Sequence, residues 1–106
     1  MTARTARTVQ QLFDLRGKTA LVTGGSRGLG LQLAHALGEA GARIMLSSRK
    51  ADDLENACAE LQDAGIDARW VAADCAQESE INRLADETLQ RMGDVDILVN
   101  NAGATW

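Results

Sequence analysis

Residues 21–30 read LVTGGSRGLG. An apolar run ends at Thr23, and four of the next seven residues are glycine: Gly24, Gly25, Gly28 and Gly30, with Ser26 and Arg27 among them. Glycines at such density let a backbone turn sharply and come close to a ligand. Where such a turn opens a helix, its unpaired N–H groups and the positive end of the helix dipole suit a phosphate. The spacing is T-G-x-x-x-G-x-G, over Thr23, Gly24, Gly28 and Gly30. It differs from the commoner G-x-G-x-x-G fingerprint. About twenty residues further on stand Ser48, Arg49 and Lys50. Other residues capable of chemistry are sparse: two cysteines, Cys58 and Cys75, without C-x-x-C spacing, and one histidine, His35. That set is too thin for a zinc site. Both cysteines read as reduced thiols of a cytoplasmic protein.

The elements that would position these residues alternate. Apolar runs at 18–23, 42–48, 67–74 and 94–100 read as strands. Between them lie three helical patterns. The first carries Leu29, Leu33, Ala36, Leu37 and Ala40 on one stripe, leaves His35 on the opposite, exposed side, and ends at Gly41. The second, over 51–64, carries Leu54, Ala57, Cys58 and Leu61 and stops at Gly65. The third, over 77–92, carries Ile81, Leu84, Ala85, Thr88, Leu89 and Met92 before Gly93. The order β-α-β-α-β-α-β predicts an α/β, Rossmann-like doubly wound parallel sheet. Right-handed crossovers give the strand order 3-2-1-4, with two helices on one face and the third on the other. The fourth strand then forms an edge with DILV along it, an association hazard. A fold with so little covering reads as cut short after its fourth strand.

In such a sheet, ligands bind outside the carboxyl ends of the strands. The glycine loop follows the first strand and opens the first helix, so it is expected to cradle the pyrophosphate of a dinucleotide. In NAD binders an acidic residue at the end of the second strand takes the ribose 2′-OH. Here Ser48 stands there, followed by Arg49 and Lys50. Arg49 attracts a 2′-phosphate, and Arg27 reaches it from the loop. Each charge-assisted hydrogen bond contributes roughly 1.5–3 kcal/mol, so two give a preference on the order of 10²-fold. NADP(H) is expected over NAD(H).

TGGSRGLG together with NNAG (100–103) after a fourth strand, and the opening FDLRGKTALVTGG, resemble the short-chain dehydrogenase/reductase family from about residue 14 onward. The resemblance implies hydride transfer between NAD(P) and a carbonyl or alcohol substrate. It also implies that Gly24, Ser26, Arg27, Gly28, Leu29 and Gly30 line the pyrophosphate and adenosine ribose. Asp74 would accept from the adenine amino group and Cys75 lie along the ring, although Asp74 also suits a turn cap. Asn101, Ala102 and Gly103 would pass the adenine and the nicotinamide-side ribose. Family members use a serine and a Tyr-x-x-x-Lys pair, yet the chain has no tyrosine and only Lys18 and Lys50 as lysines. No catalytic residue is assigned, and the chain alone is expected to be inactive. The complete enzyme is expected to be a homo-oligomer. The alternative is a short non-catalytic nucleotide-binding or regulatory module.

The bulk composition fits this picture. Of 106 residues, 45% are hydrophobic and 25% charged, ordinary values for a globular chain. The net charge of −4 is uneven. Residues 1–18 hold Arg4, Arg7, Arg16 and Lys18 against Asp14; the remainder holds seven basic and fourteen acidic residues. An acidic body argues against a nucleic-acid partner, and no apolar run approaches the ~20 residues of a membrane span. Residues 1–14, rich in Arg and Thr, read as a flexible arm before a cofactor-binding domain at 15–106.

Overall fold

The run TALVT forms β1 (Thr19–Thr23), in which all five residues are buried. A strand buried on both faces needs neighbours on both edges, and the computed structural model, which describes residues 13–101, supplies them. β2 (Arg43–Ser48) pairs with β1 in parallel, Thr19 opposite Arg43 and Thr23 opposite Ser47. β4 (Ile97–Asn100) pairs with its other edge, Thr23 opposite Asn100. β3 (Ala68–Ala72) lies outside β2. The order is β3-β2-β1-β4, all parallel, as crossover handedness requires.

Helices α1 (Gly28–Glu39) and α2 (Ala51–Asp63) cover one face and α3 (Glu78–Met92) the other. The first face buries Ala20, Val22, Ile44 and Leu46 of the sheet against Ala34, Leu54, Ala57, Cys58 and Leu61. The second buries Leu21, Met45, Val71 and Ala73 against Leu84 and Met92. Gly41, Gly65 and Gly93 have φ of +109°, +83° and +87°, the left-handed conformation that ends a helix.

Several expectations are corrected. The buried face of α1 is not the Leu29–Leu33–Ala36 stripe: Leu29 is 54% exposed and Ala36 is exposed, whereas Gly30 and Ala34 are buried. Glycines set this face. A Cβ on Gly38 would come within 2.6 Å of Ile66, so Gly38 is the point of contact with the α2–β3 turn. The rotation also carries His35 off the solvent side. Its Nε2 lies 2.5 Å from Glu60 Oε2 on α2.

In α3 only Leu84, Thr88 and Met92 are buried; Ile81 (46%), Ala85 and Leu89 (50%) are exposed. A single helix on that face meets the sheet along one ridge. The last strand is shorter than 94–100, because Asp96 turns aside and its Oδ2 accepts the Thr19 N–H at 2.9 Å. Along β4 Leu98 is 62% exposed while Ile97 and Val99 pack on the first core, so the edge is half covered. The chain is tied in from Leu15, whose N–H donates to the Ala40 carbonyl at 2.7 Å. Of the arm expected over 1–14, residues 1–12 lie outside the described residues.

Candidate functional site

The carboxyl ends of β1, β2 and β3 open onto a cavity of about 610 Å³. Leu21, Thr23 and Gly24 form its floor, with Ser48 and Arg49 from the end of β2 and Ala73, Asp74, Cys75 and Ala76 from the loop after β3. Ile81, Leu84 and Ala85 of α3 and Leu98 and Asn100 of β4 close the apolar side. Of the residues expected from the sequence, Gly24, Ser48, Arg49, Asp74 and Cys75 therefore meet in one cavity. Ser26, Arg27, Gly28, Leu29 and Gly30 continue from Gly24 into α1. Lys50 follows Arg49, its N–H 3.4 Å from Ser48 Oγ. Ala102 and Gly103 lie outside the described residues.

The glycines of the loop have distinct tasks. Gly24 and Gly28 have φ of +65° and +61°, which side-chain-bearing residues rarely adopt. Gly30 packs so closely that an added Cβ would stand 2.1 Å from the Gly24 carbonyl oxygen. Its bareness thus serves the turn itself as much as a ligand. Arg27 is the residue that caps α1, in extended conformation and exposed, with no side-chain cap bond. The first turn of α1 carries no acidic residue, whereas α2 has Asp52 and Asp53 and α3 has Glu78 and Glu80. The first N–H groups of a helix have no intrahelical acceptor, so the α1 terminus suits an external anion.

Thr23 and Asn101 brace this loop from below. The Thr23 hydroxyl lies 3.3 Å from the Val99 carbonyl and 3.2 Å from Asn100 Oδ1, and accepts the Asn101 N–H at 3.2 Å. Asn101 Nδ2 donates to the Gly24 carbonyl at 3.3 Å. The sequence carries no local sign of the bracing role of Thr23. Only the pairing of β1 with β4 brings residues 77 and 78 positions apart into contact, and no local pattern announces it.

Asp74 does not end the third strand. It stands two residues beyond, in the loop to α3. Its Oδ1 accepts the Ala76 N–H at 3.0 Å, the capping arrangement weighed as its alternative role, while it also lines the cavity. Burial, and after it the charges of Asp74 and Glu80, push the Cys75 thiol up. Cys58 is buried, also raised by burial, and donates to the Ala68 carbonyl at 3.1 Å. Both are free thiols. Among the described residues no group of three or more His, Cys, Asp or Glu could hold a metal, and no helix is long and apolar enough to cross a membrane.

A parallel sheet in the order 3-2-1-4, with a glycine turn at its switch point, defines a dinucleotide-binding type of α/β fold. Residues 18–106 match the family model for short chain dehydrogenase, and the chain belongs to that family of oxidoreductases. It is 43% identical over 94 residues to the rhamnolipids biosynthesis 3-oxoacyl-[acyl-carrier-protein] reductase of Pseudomonas aeruginosa, covering 89% of this chain and 36% of the relative. Among solved structures, it superposes on a short-chain type dehydrogenase/reductase from Mycobacterium marinum with a TM-score of 0.88 at 36% identity, over 94% of this chain and 40% of that one. The Pseudomonas aeruginosa RhlG/NADP active-site complex matches with a TM-score of 0.82 at 42% identity, over 88% and 37%. The chain thus spans little more than a third of the length of the relatives it matches.

Proposed function

We propose that this chain is the cofactor-binding part of an NADP(H)-dependent oxidoreductase that moves a hydride between nicotinamide and a carbonyl or alcohol substrate. One observation carries the cofactor assignment. Ser48 and Arg49, rather than a carboxylate, stand at the end of β2 and line the same cavity as Gly24 and Asp74. The likeness to a structure solved with NADP supports the same choice.

In this reading the α1 terminus and the backbone of Gly24, Ser26, Gly28, Leu29 and Gly30 hold the pyrophosphate and the adenosine ribose. Arg27, Ser48, Arg49 and Lys50 surround the 2′-phosphate. Asp74 accepts from the adenine amino group, Cys75 lies along the ring, and Asn101, Ala102 and Gly103 pass the nicotinamide-side ribose. The bound nicotinamide supplies the hydride or takes it. No residue of this chain is assigned to proton transfer, since it holds no tyrosine. The 106-residue polypeptide is therefore expected to turn over no carbonyl or alcohol. Titrating it with NADPH and with NADH, by cofactor fluorescence or calorimetry, tests the assignment. NADPH is expected to bind on the order of 10²-fold more tightly. Equal affinities would remove it.

A further inference from the structure

Two side chains of α3 that do not line the cavity hold the loop that does. Arg83 Nη2 donates to the Ala72 carbonyl at 2.6 Å and to Glu80 Oε1 at 3.0 Å, and its Nε donates to Glu80 Oε2 at 2.9 Å. Glu80 Oε1 in turn accepts the Asp74 N–H at 3.4 Å. A continuous chain of bonds therefore runs from the backbone on one side of Ala73, through the ion pair, to the backbone on the other. Glu87 faces the same guanidinium, 3.6 Å away. The side chain of Asp74 is oriented by the conformation that this clamp fixes. Its Oδ1 is taken by the Ala76 N–H at 3.0 Å, and its Oδ2 has only the Gln77 Nε2 at 3.5 Å. The second oxygen is the one left to meet a donor in the cavity.

The geometry points to Glu80 and Arg83 as positioning residues that aim Asp74 Oδ2 at the exocyclic amine of the cofactor's purine, and so set the choice of adenine over a base lacking that amine. This rests on the reading that Asp74 accepts from the adenine amino group. Neither residue touches the cofactor. They act by keeping residues 72–74 in place, together with the Ala73 N–H, which donates to the Ser48 carbonyl at 2.8 Å.

The test compares NADPH with its hypoxanthine analogue, in which oxygen replaces the 6-amino group, on the intact chain. A hydrogen bond to a charged acceptor makes the wild-type preference for NADPH on the order of tenfold. Arg83→Met keeps the aliphatic stem and removes every donor. It should bring that ratio to within about twofold of unity while affinity for the analogue changes less than about threefold. Arg83→Lys should restore part of the ratio. Glu80→Gln, a milder change at the helix surface, should lower the ratio in the same direction and serves if Arg83→Met loses the wild-type circular dichroism spectrum. If the variants weaken both cofactors equally and the ratio survives, the clamp is merely structural and the inference fails while the adenine reading stands. A wild-type chain that binds both alike, or binds neither, sinks the adenine reading itself and the inference with it.

Discussion

The α carbon of Gly30 faces the carbonyl oxygen of Gly24 so closely that a Cβ would stand 2.1 Å from it. The same oxygen accepts from Asn101 Nδ2 at 3.3 Å. The start of α1, the glycine turn and the end of β4 thus converge on one backbone atom. Gly30→Ala must displace backbone rather than a flexible side chain. It is expected to cost at least ~2 kcal/mol, a large share of the ~5–15 kcal/mol that holds a domain together. A denaturant melt should show the midpoint shift, and cofactor affinity should fall with it. An unchanged midpoint would mean that the turn relaxes freely.

The apolar residues left exposed on the α3 side of the sheet are expected to promote association. Ile81, Leu89 and Leu98 are 46%, 50% and 62% exposed. Contiguous exposed apolar patches drive contacts between molecules, and among the described residues β4 is paired on one edge, with β1. Sedimentation of the 106-residue chain should show mass rising with concentration, and Leu89→Lys with Leu98→Lys should suppress the rise. A concentration-independent monomer before substitution would contradict this.

Stability should depend on pH through Glu80. The hydrogen bond from Arg83, and next that from the Asp74 N–H, hold its carboxyl below the ordinary value near 4.5. A group whose pKa is lower folded than unfolded stabilises the fold above the unfolded pKa, and that contribution is lost as pH falls through the folded one. The difference in melting temperature between wild type and Glu80→Gln should therefore be full at neutral pH and shrink below about pH 4.5. A difference that stays constant on acidification would show that the pair is not coupled to folding. The Asp14 carboxyl, held at about 2 by the Arg16 guanidinium beside it, stays ionised across most of that range.

The sheet was legible because its cause is local. Glycine-punctuated apolar runs and crossover handedness suffice for the order 3-2-1-4, and Gly41, Gly65 and Gly93 mark the helix ends through their positive φ. The stripe of Leu29, Leu33 and Ala36 misses the buried face of α1 because the contacts there are made at Gly30 and Gly38. Burial there follows backbone approach, which a hydrophobic stripe does not register. The α3 stripe was drawn too wide for the same kind of reason. Periodicity tells which residues share a face, but the number of elements packed on it decides how many are covered. The positions of Ser48, Arg49 and the glycine turn at the carboxyl ends of β2 and β1 follow from the order of the elements. The Thr23–Asn101 brace depends on strand pairing across 78 positions, and the Glu80–Arg83 clamp looks from sequence like any i,i+3 surface pair.

The central claim, that Arg49 in the cavity and Arg27 at the start of α1 select the 2′-phosphate, is tested most directly by cofactor titration of Arg27→Ala combined with Arg49→Ala. NADPH binding should weaken by about 10²-fold or more, since two charge-assisted bonds are removed. NADH binding should change less than about tenfold, because the glycine turn and the α1 terminus hold the pyrophosphate with backbone groups that neither substitution touches. Adding Ser48→Asp should then favour NADH, whose 2′-OH the carboxylate accepts, over the phosphate it repels. Equal loss of both cofactors in the double variant would contradict the account, for the arginines would then be holding the fold or the pyrophosphate and not the 2′-phosphate.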